Sequence, residues 1–313
     1  MKALRDFLII SRANIQIASL PTALIGPVLA AGKLSELWDA ELLLFVALFF
    51  VVLTFACNLN CLADAEVDEL HKRAMSGAVR SMGKARIKRI LTAEALVALA
   101  IAAGLAVIKK EEAIVLAAGA LAALGLAFVY SAPPLRVKGR GWLSPFPVVL
   151  GLYALPPLGG WYLVRGRLCG GIIVFALGYA LLMEGLTIVN MCEDHPEDAS
   201  AGLRTLAHAF GIRRTLALGA GLTGAGGIIA LAAVLVVAGG AGGREDWPGP
   251  AILGLVGALS VFYAASVVSA VGVLRDLARA EDPAAACKRR ANLMPTWFLM
   301  TRYPLLFMAL LLK

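Results

Sequence analysis

Apolar residues fall in long runs that are free or nearly free of charge. Nine such runs stand near 13–32, 42–62, 90–108, 113–135, 142–164, 168–190, 215–240, 248–273 and 293–312. A run of about 20 residues, at a rise of ~1.5 Å each, crosses a hydrocarbon layer of about 30 Å. The pattern therefore predicts an all-α polytopic membrane protein with nine transmembrane helices. The Pro and Gly inside 113–135 and 142–164 do not argue against spans, because membrane helices tolerate them. The basic stretch up to Arg12 precedes a run of full spanning length, which reads as a retained first helix rather than a cleaved leader.

Composition agrees. Hydrophobic residues make up 60 % of the 313 and charged residues 16 %, with a mean hydropathy of +0.82. A soluble domain carries roughly 25 % charged residues, so a soluble enzyme is excluded. The net charge of +8 is a matter of topology and not of nucleic acid, for which no partner role is expected. With nine spans, 21 of the 29 Lys and Arg fall on the side of the N-terminus and seven on the other, Arg244 among the seven. Arg302 lies within the last run. That asymmetry puts the N-terminus and the loops 64–89, 191–214 and 274–290 in the cytoplasm. The setting expected is the plasma membrane of a prokaryote. Cys57, Cys61, Cys169, Cys192 and Cys287 form no C-x-x-C pair and read as small residues packed between helices.

Two polar motifs interrupt this background. The second run ends in Asn60, Asp64 and Asp68, the sixth in Asn190, Asp194 and Asp198. Both read N-x-x-x-D-x-x-x-D, in a chain with only five Asn and nine Asp. On a helix, residues four apart share one face. Each motif is thus expected to aim an amide and two carboxylates one way. The copies lie 130 residues apart on the same side of the membrane. The chain divides accordingly into a leading helix and two four-helix units, and a repeat of this kind often holds a site at its interface.

Carboxylates gathered at a membrane face need cations. Two charges ~6 Å apart repel by about 3 kcal/mol at an effective dielectric of ~20. Oxygen ligands from Asp and Asn suit Mg²⁺, Mn²⁺ or Ca²⁺, and Mg²⁺ commonly completes its shell with phosphate oxygens and water. Two facing Asp-rich helices therefore point to a diphosphate held through metal ions. Basic loops flank the motifs. His71, Lys72, Arg73 and Arg80 follow the first, Tyr130–Gly141 with Arg136 and Lys138 follows the fourth run, and Arg204 follows the second motif. Topology alone accounts for most basic residues in such loops. Lys72, Arg73 and Lys138 stand out because they lie just beyond an Asp motif or a Pro-rich turn.

These features resemble the UbiA superfamily of intramembrane prenyltransferases. The resemblance rests on the spans, the paired motifs and the stretch Tyr130-Ser131-Ala132-Pro133-Pro134-Leu135-Arg136-Val137-Lys138-Gly139-Arg140-Gly141, and covers nearly the whole chain. It implies one transmembrane prenyltransferase domain over 1–313, with helices around a central cavity. It also implies transfer of a prenyl group, geranyl to polyprenyl, from an allylic diphosphate to an acceptor that is usually aromatic. Two Mg²⁺ ions, with Mn²⁺ as an alternative, would sit on Asn60, Asp64 and Asp68 and on Asp194 and Asp198, with Asn190 completing the second site. Lys72, Arg73, Arg136, Lys138 and Arg12 would meet the diphosphate, and Tyr130 would border the reacting allylic carbon. Asp64, Asp68, Asp194 and Asp198 carry the chemistry in this reading. The sequence departs from the common pattern at Cys61, where many members have Asp, and at Ala74, where many have Pro.

Other residues have two readings each. Glu184 and Arg302 lie within spans, where charge is costly. Glu184 serves the site or is paired structurally; Arg302 pairs with it or sits near the cavity. Trp142, Trp161, Trp247 and Trp297, near span ends, read as interface anchors. His195 and His208 read as loop residues, and the Gly- and Ala-rich stretch 216–243 as close helix packing. The alternative function is an ion-coupled transporter using the intramembrane carboxylates, disfavoured because the acids cluster at one face.

Overall fold

The computed structural model describes residues 2–69, 72–240 and 249–313, so His71, Arg244 and Trp247 lie outside the described residues. The helices are α1 (Lys2–Ile10), α2 (Ala13–Ala30), α3 (Ala40–Asp64), α4 (Arg73–Met82), α5 (Lys84–Ile108), α6 (Ala113–Ser131), α7 (Phe146–Val148) and α8 (Leu155–Arg165). They continue as α9 (Gly170–Glu193), α10 (His195–Ser200), α11 (Leu206–Phe210), α12 (Ile212–Gly240), α13 (Pro250–Arg279), α14 (Pro283–Arg290) and α15 (Met294–Leu311). No strand occurs among the described residues; the one isolated bridge joins Arg140 to Arg204. An all-helical fold suits a lipid solvent, since a helix satisfies its backbone polar groups within its own segment.

Among the described residues, eight segments are long and apolar enough to cross a membrane: α2, α3, α5, α6, residues 141–165, α9, α12 and α13. The expected ninth, α15, is a continuous helix of 18 residues but is not one of the eight. It carries Arg302 and Pro304 and packs on α2 and α13. Segment 141–165 is irregular. A π-helical turn at Val149–Ala154 separates α7 from α8, and such turns re-aim side chains at functional sites.

The helices close on one another. α2 packs on α8 and α15, α3 on α5 and α6, α9 on α12, α12 on α13, and α13 on α15. The largest buried cluster is centred on α9, with Phe175, Tyr179, Leu182, Met183 and Leu186 fully enclosed. The close packing expected for the Gly- and Ala-rich stretch is present at α9–α12. A Cβ on Gly226 would lie 2.3 Å from the Leu182 nitrogen, and one on Gly185 would lie 2.6 Å from the Thr223 nitrogen. Backbones this near admit only glycine, and the tight contact replaces the hydrophobic drive that lipid removes.

Three expectations are corrected here. Arg302 does not pair with Glu184: its guanidinium donates to the Ala18 carbonyl at 2.9 Å and to Ser19 Oγ at 3.0 Å, and lies over the Phe298 ring. It staples α15 to α2. Trp161 and Trp297 are buried within the protein rather than set at an interface, while Trp142 is exposed. Neither Asp motif lies on one uninterrupted helix. α3 stops at Asp64, leaving Asp68 in a 3₁₀ turn at Val67–Glu69, and α9 stops at Glu193, with Asp198 on α10 behind Pro196.

Candidate active site

α3 and α9 bring their C-terminal ends to the same end of the bundle, at the mouth of one large cavity. Its volume is about 830 Å³, within the range of sites that enclose small ligands. The deep part is apolar and includes Phe45, Leu48, Phe49, Leu105 and Leu116. The mouth is polar. Asn60, Asp64, Asp68, Asn190, Asp194 and Asp198 all line it, so both motifs are gathered as the sequence predicts, although their helices end inside them. Register survives the second break, because the Asp198 amide still donates to the Asp194 carbonyl at 2.8 Å and the Asp194 amide to the Asn190 carbonyl at 3.1 Å.

The electrostatics of the mouth follow from this arrangement. Two helix C-termini contribute partial negative charge, and four carboxylates add to it. Burial is the main reason that Asp198 is pushed up to about 7, and Asp194 and Asp64 add to the effect. Asp68 is raised by burial and, despite the opposing Lys72, by Asp64 and Asp194. The carboxylates of the two motifs thus feel one another across the mouth.

Basic side chains answer them. Lys72 Nζ lies 2.5 Å from Asp194 Oδ2, which ties the loop after the first motif to the second. Lys138 bonds Asp64, and Arg136 Nη2 reaches the other Asp64 oxygen at 2.8 Å. Arg12 Nη2 donates to Asn60 Oδ1 at 3.2 Å. Arg12 and Arg136 have φ of 51° and 36°. A non-glycine residue there is strained, and such strain concentrates at functional sites. The Tyr130–Gly141 stretch is held over the mouth by Arg204, whose amide donates to the Gly139 carbonyl at 3.2 Å and whose carbonyl accepts from Gly141. Tyr130 lines the cavity at the end of α6.

Arg73 is not brought to this site. It is exposed on the first turn of α4 and lines a separate surface depression with Lys2, Arg5 and Asp6. Its neighbour Lys72 precedes the helix and turns inward. His195 and His208 lie on the short helices α10 and α11 rather than in loops, and their rings stack 4.0 Å apart outside the cavity. Sequence reasoning missed Glu193, Glu197, Asn14 and Asn292, all of which line the cavity. Only Glu193 and Glu197 carried a signal, through their place around Asp194. Lys288 of α14 bonds Glu197, tying α14 to the mouth.

Residues 19–290 match the UbiA prenyltransferase family. The chain belongs to that family. It is an integral membrane protein of the UbiA type. Among curated proteins it resembles the chloroplastic chlorophyll synthase of Arabidopsis thaliana, 36 % identical over 86 residues, which are 28 % of this chain and 22 % of that one. It also resembles the lycopene elongase/hydratase of Haloferax volcanii, 29 % identical over 208 residues, 66 % of this chain and 65 % of that one. The match thus spans less than a quarter of the chlorophyll synthase. In fold, the chain resembles a UbiA homologue from Archaeoglobus fulgidus bound to DMAPP and Mg²⁺, with a TM-score of 0.64, 18 % identity, and coverage of 96 % of this chain and 99 % of that one. A digeranylgeranylglyceryl phosphate synthase gives 0.59 at 16 % identity, covering 99 % of each chain.

The donor set of this UbiA site fits a hard divalent cation, being all carboxylate and amide oxygen. Among the described residues no three His, Cys, Asp or Glu side chains are drawn into one chelating cluster. Mg²⁺ does not require one, because it usually takes one or two carboxylates and fills the rest with water and substrate phosphate.

Proposed function

We propose that the chain transfers a prenyl group from an allylic diphosphate to a lipophilic-pathway acceptor, most often aromatic in this family, in a Mg²⁺-dependent reaction within the membrane. The observation that carries this reading is the single cavity with two Asp motifs and Lys72, Lys138 and Arg12 at its mouth and an apolar interior behind them. A prenyl diphosphate has the same division, with a charged head and a hydrocarbon tail. The Mg²⁺-bound relative of similar fold supports the metal assignment.

In this mechanism Asn60, Asp64 and Asp68 would hold one ion, and Asn190, Asp194 and Asp198 the other. Bound there, Mg²⁺ supplies charge that neutralises the diphosphate and makes it a better leaving group. Lys72 and Lys138 exchange their carboxylate partners for phosphate oxygens, and Arg12 adds a further donor. Arg136 orients Asp64 from outside the cavity. The allylic C–O bond breaks and its electron pair leaves with the diphosphate. The delocalised cation forms beside Tyr130, in a cavity whose apolar wall excludes water. The acceptor then captures it.

The rest of the topology belongs to the same proposal. α15 is the ninth span, the 1–313 chain is one domain, and the N-terminus and mouth face the cytoplasm, in accord with the 21-to-7 division of Lys and Arg. The test is diphosphate release from geranylgeranyl diphosphate by purified protein with pooled acceptors, with and without Mg²⁺. Release that needs Mg²⁺ and is lost in Asp64→Ala and Asp194→Ala supports the proposal. Release that survives either change, or no release from folded protein with any chain length, overturns it.

A further inference from the structure

Glu184 is the residue that the reading above leaves without a task. It lies on α9, 3 % exposed, and lines the cavity. Neither of its carboxylate oxygens has a hydrogen-bond partner. The cation that sequence reasoning offered it, Arg302, is bound to α2 instead. A buried carboxyl left unpaired costs several kcal/mol, so its persistence at the cavity wall calls for a partner that the protein itself does not supply.

Its position says what that partner does. Glu184, Thr187, Asn190 and Met191 line the cavity from α9, with Asp194 at its C-terminal cap, and form one stripe. At a rise of ~1.5 Å per residue, Glu184 lies about 9 Å deeper than Asn190 along the helix axis. That interval holds a reacting carbon and one acceptor group. The neighbouring hydroxyls are already committed, since Thr187 Oγ1 meets Tyr153 Oη at 2.8 Å and bonds the Met183 carbonyl. Tyr130, at the proposed reacting carbon, lies within electrostatic reach of Glu184.

We propose that Glu184 is the proton acceptor for the prenyl acceptor, and that the acceptor therefore carries a hydroxyl, phenolic or alcoholic, directed into the cavity. The inference rests on the prenyl-transfer reading. The hydroxyl donates to a lone pair of a Glu184 oxygen, which has no other hydrogen-bond partner. As the allylic C–O bond breaks, its electron pair leaves with the diphosphate. The acceptor's nucleophilic atom, its oxygen or the ring carbon that the hydroxyl activates, supplies the pair for the new bond to the allylic carbon. The proton that the acceptor sheds passes to the Glu184 carboxylate and then to solvent when the products leave. The products are prenylated acceptor, diphosphate and a proton, and no oxidant or reductant is needed. Placed near the developing allylic cation, the carboxylate also stabilises it. Glu184 is then a catalytic residue distinct from the motif carboxylates.

The test uses the full chain in lipid nanodiscs with Mg²⁺ and geranylgeranyl diphosphate. The probes are 1,4-dihydroxy-2-naphthoate, 4-hydroxybenzoate, 3-O-geranylgeranylglyceryl phosphate and, as a hydrocarbon without a hydroxyl, lycopene. Wild type, Glu184→Gln and Glu184→Asp are compared for product, donor affinity and melting temperature. The expected result is product from a hydroxylated probe, with kcat about 100-fold lower in Glu184→Gln, donor affinity within about twofold, an unchanged melting temperature and partial recovery in Glu184→Asp. The proposal is overturned if Glu184→Gln turns over like wild type, if donor affinity and melting temperature fall in step with kcat, or if lycopene alone is prenylated. A wild-type protein that releases no diphosphate with any probe overturns the prenyl-transfer reading instead, before Glu184 is touched, and the inference goes with it.

Discussion

A single methyl group at Gly226 tests how the site is held in place. The Cβ of Gly226→Ala would lie 2.3 Å from the Leu182 nitrogen and 2.6 Å from the Gly178 carbonyl oxygen, both backbone atoms of α9. Ordinary van der Waals contact begins near 3.4 Å, so α9 and α12 must part by about 1 Å. Overpacking of this kind costs roughly 1–3 kcal/mol, and here no flexible side-chain end can yield. Further along α9 stand Glu184 and Asn190, and Asp194 caps its C-terminal end. A shift of about 1 Å between the two motifs is enough to lower turnover by ~100-fold. Gly221→Ala is the control on the same helix, because a Cβ there meets nothing within 4 Å. It gains helix propensity of about 1 kcal/mol. Thermal melts in one detergent, with diphosphate release measured alongside, should show Gly226→Ala melting lower and working more slowly, and Gly221→Ala at or above wild type in both. Equal melts and rates for the two variants would refute the backbone-contact argument.

Other predictions separate residues that the sequence alone treats alike. Lys72→Ala should lower donor affinity by at least tenfold, while Arg73→Ala, outside the cavity, should change it less than threefold; isothermal titration with a thiodiphosphate analogue reads both. Lys138→Met leaves Asp64 buried with Arg136 as its remaining cation. Chemical denaturation should show a loss of about 1–3 kcal/mol, and the donor should bind more weakly. The site should also titrate. Asp198, raised to about 7, holds a proton below that pH, and a metal must displace it. Mg²⁺ affinity should therefore rise by up to tenfold per pH unit up to about 7 and level off above. The folded-state value lies above the unfolded one, so without metal the same group makes the protein more stable as pH falls from about 7 toward 4. Asp198→Asn should flatten both profiles.

The sequence shows the long elements well, because lipid leaves a chain little choice. Runs without charge became helices at nearly the expected places, and the glycines of α9 and α12 lie where their backbones touch. Both Asp motifs were legible as candidates, since scarce polar residues repeated at one spacing have few structural explanations, and the structure gathers both at one cavity. Local breaks were less visible. Residues four apart suggest a continuous helix, yet α3 ends at Asp64 and Pro196 starts a new helix after Asp194. Neither change moves the carboxylates out of the mouth, so the spacing predicted the right gathering through the wrong local geometry. Adjacent residues were the hardest to tell apart. Lys72 and Arg73 carry the same charge beside the same motif, and only the start of α4 sends one inward and the other out. The partner of Arg302 was likewise hidden, because backbone carbonyls leave no mark in sequence. α15 shows the limit of hydropathy, as its Arg302 and two prolines dilute a run that is nonetheless one helix packed on α2.

The central claim is that two Asp motifs on separate helices hold one diphosphate through divalent metal. Binding of geranylgeranyl thiodiphosphate, which resists ionisation, tests it without any acceptor. Titrations would be run with and without Mg²⁺ on wild type, Asp64→Asn and Asp194→Asn, each checked for an unaltered melt. Binding that requires Mg²⁺ and weakens by at least tenfold in either variant is the predicted result. Binding of equal strength without divalent metal, or loss in one variant while the other binds like wild type, would contradict it.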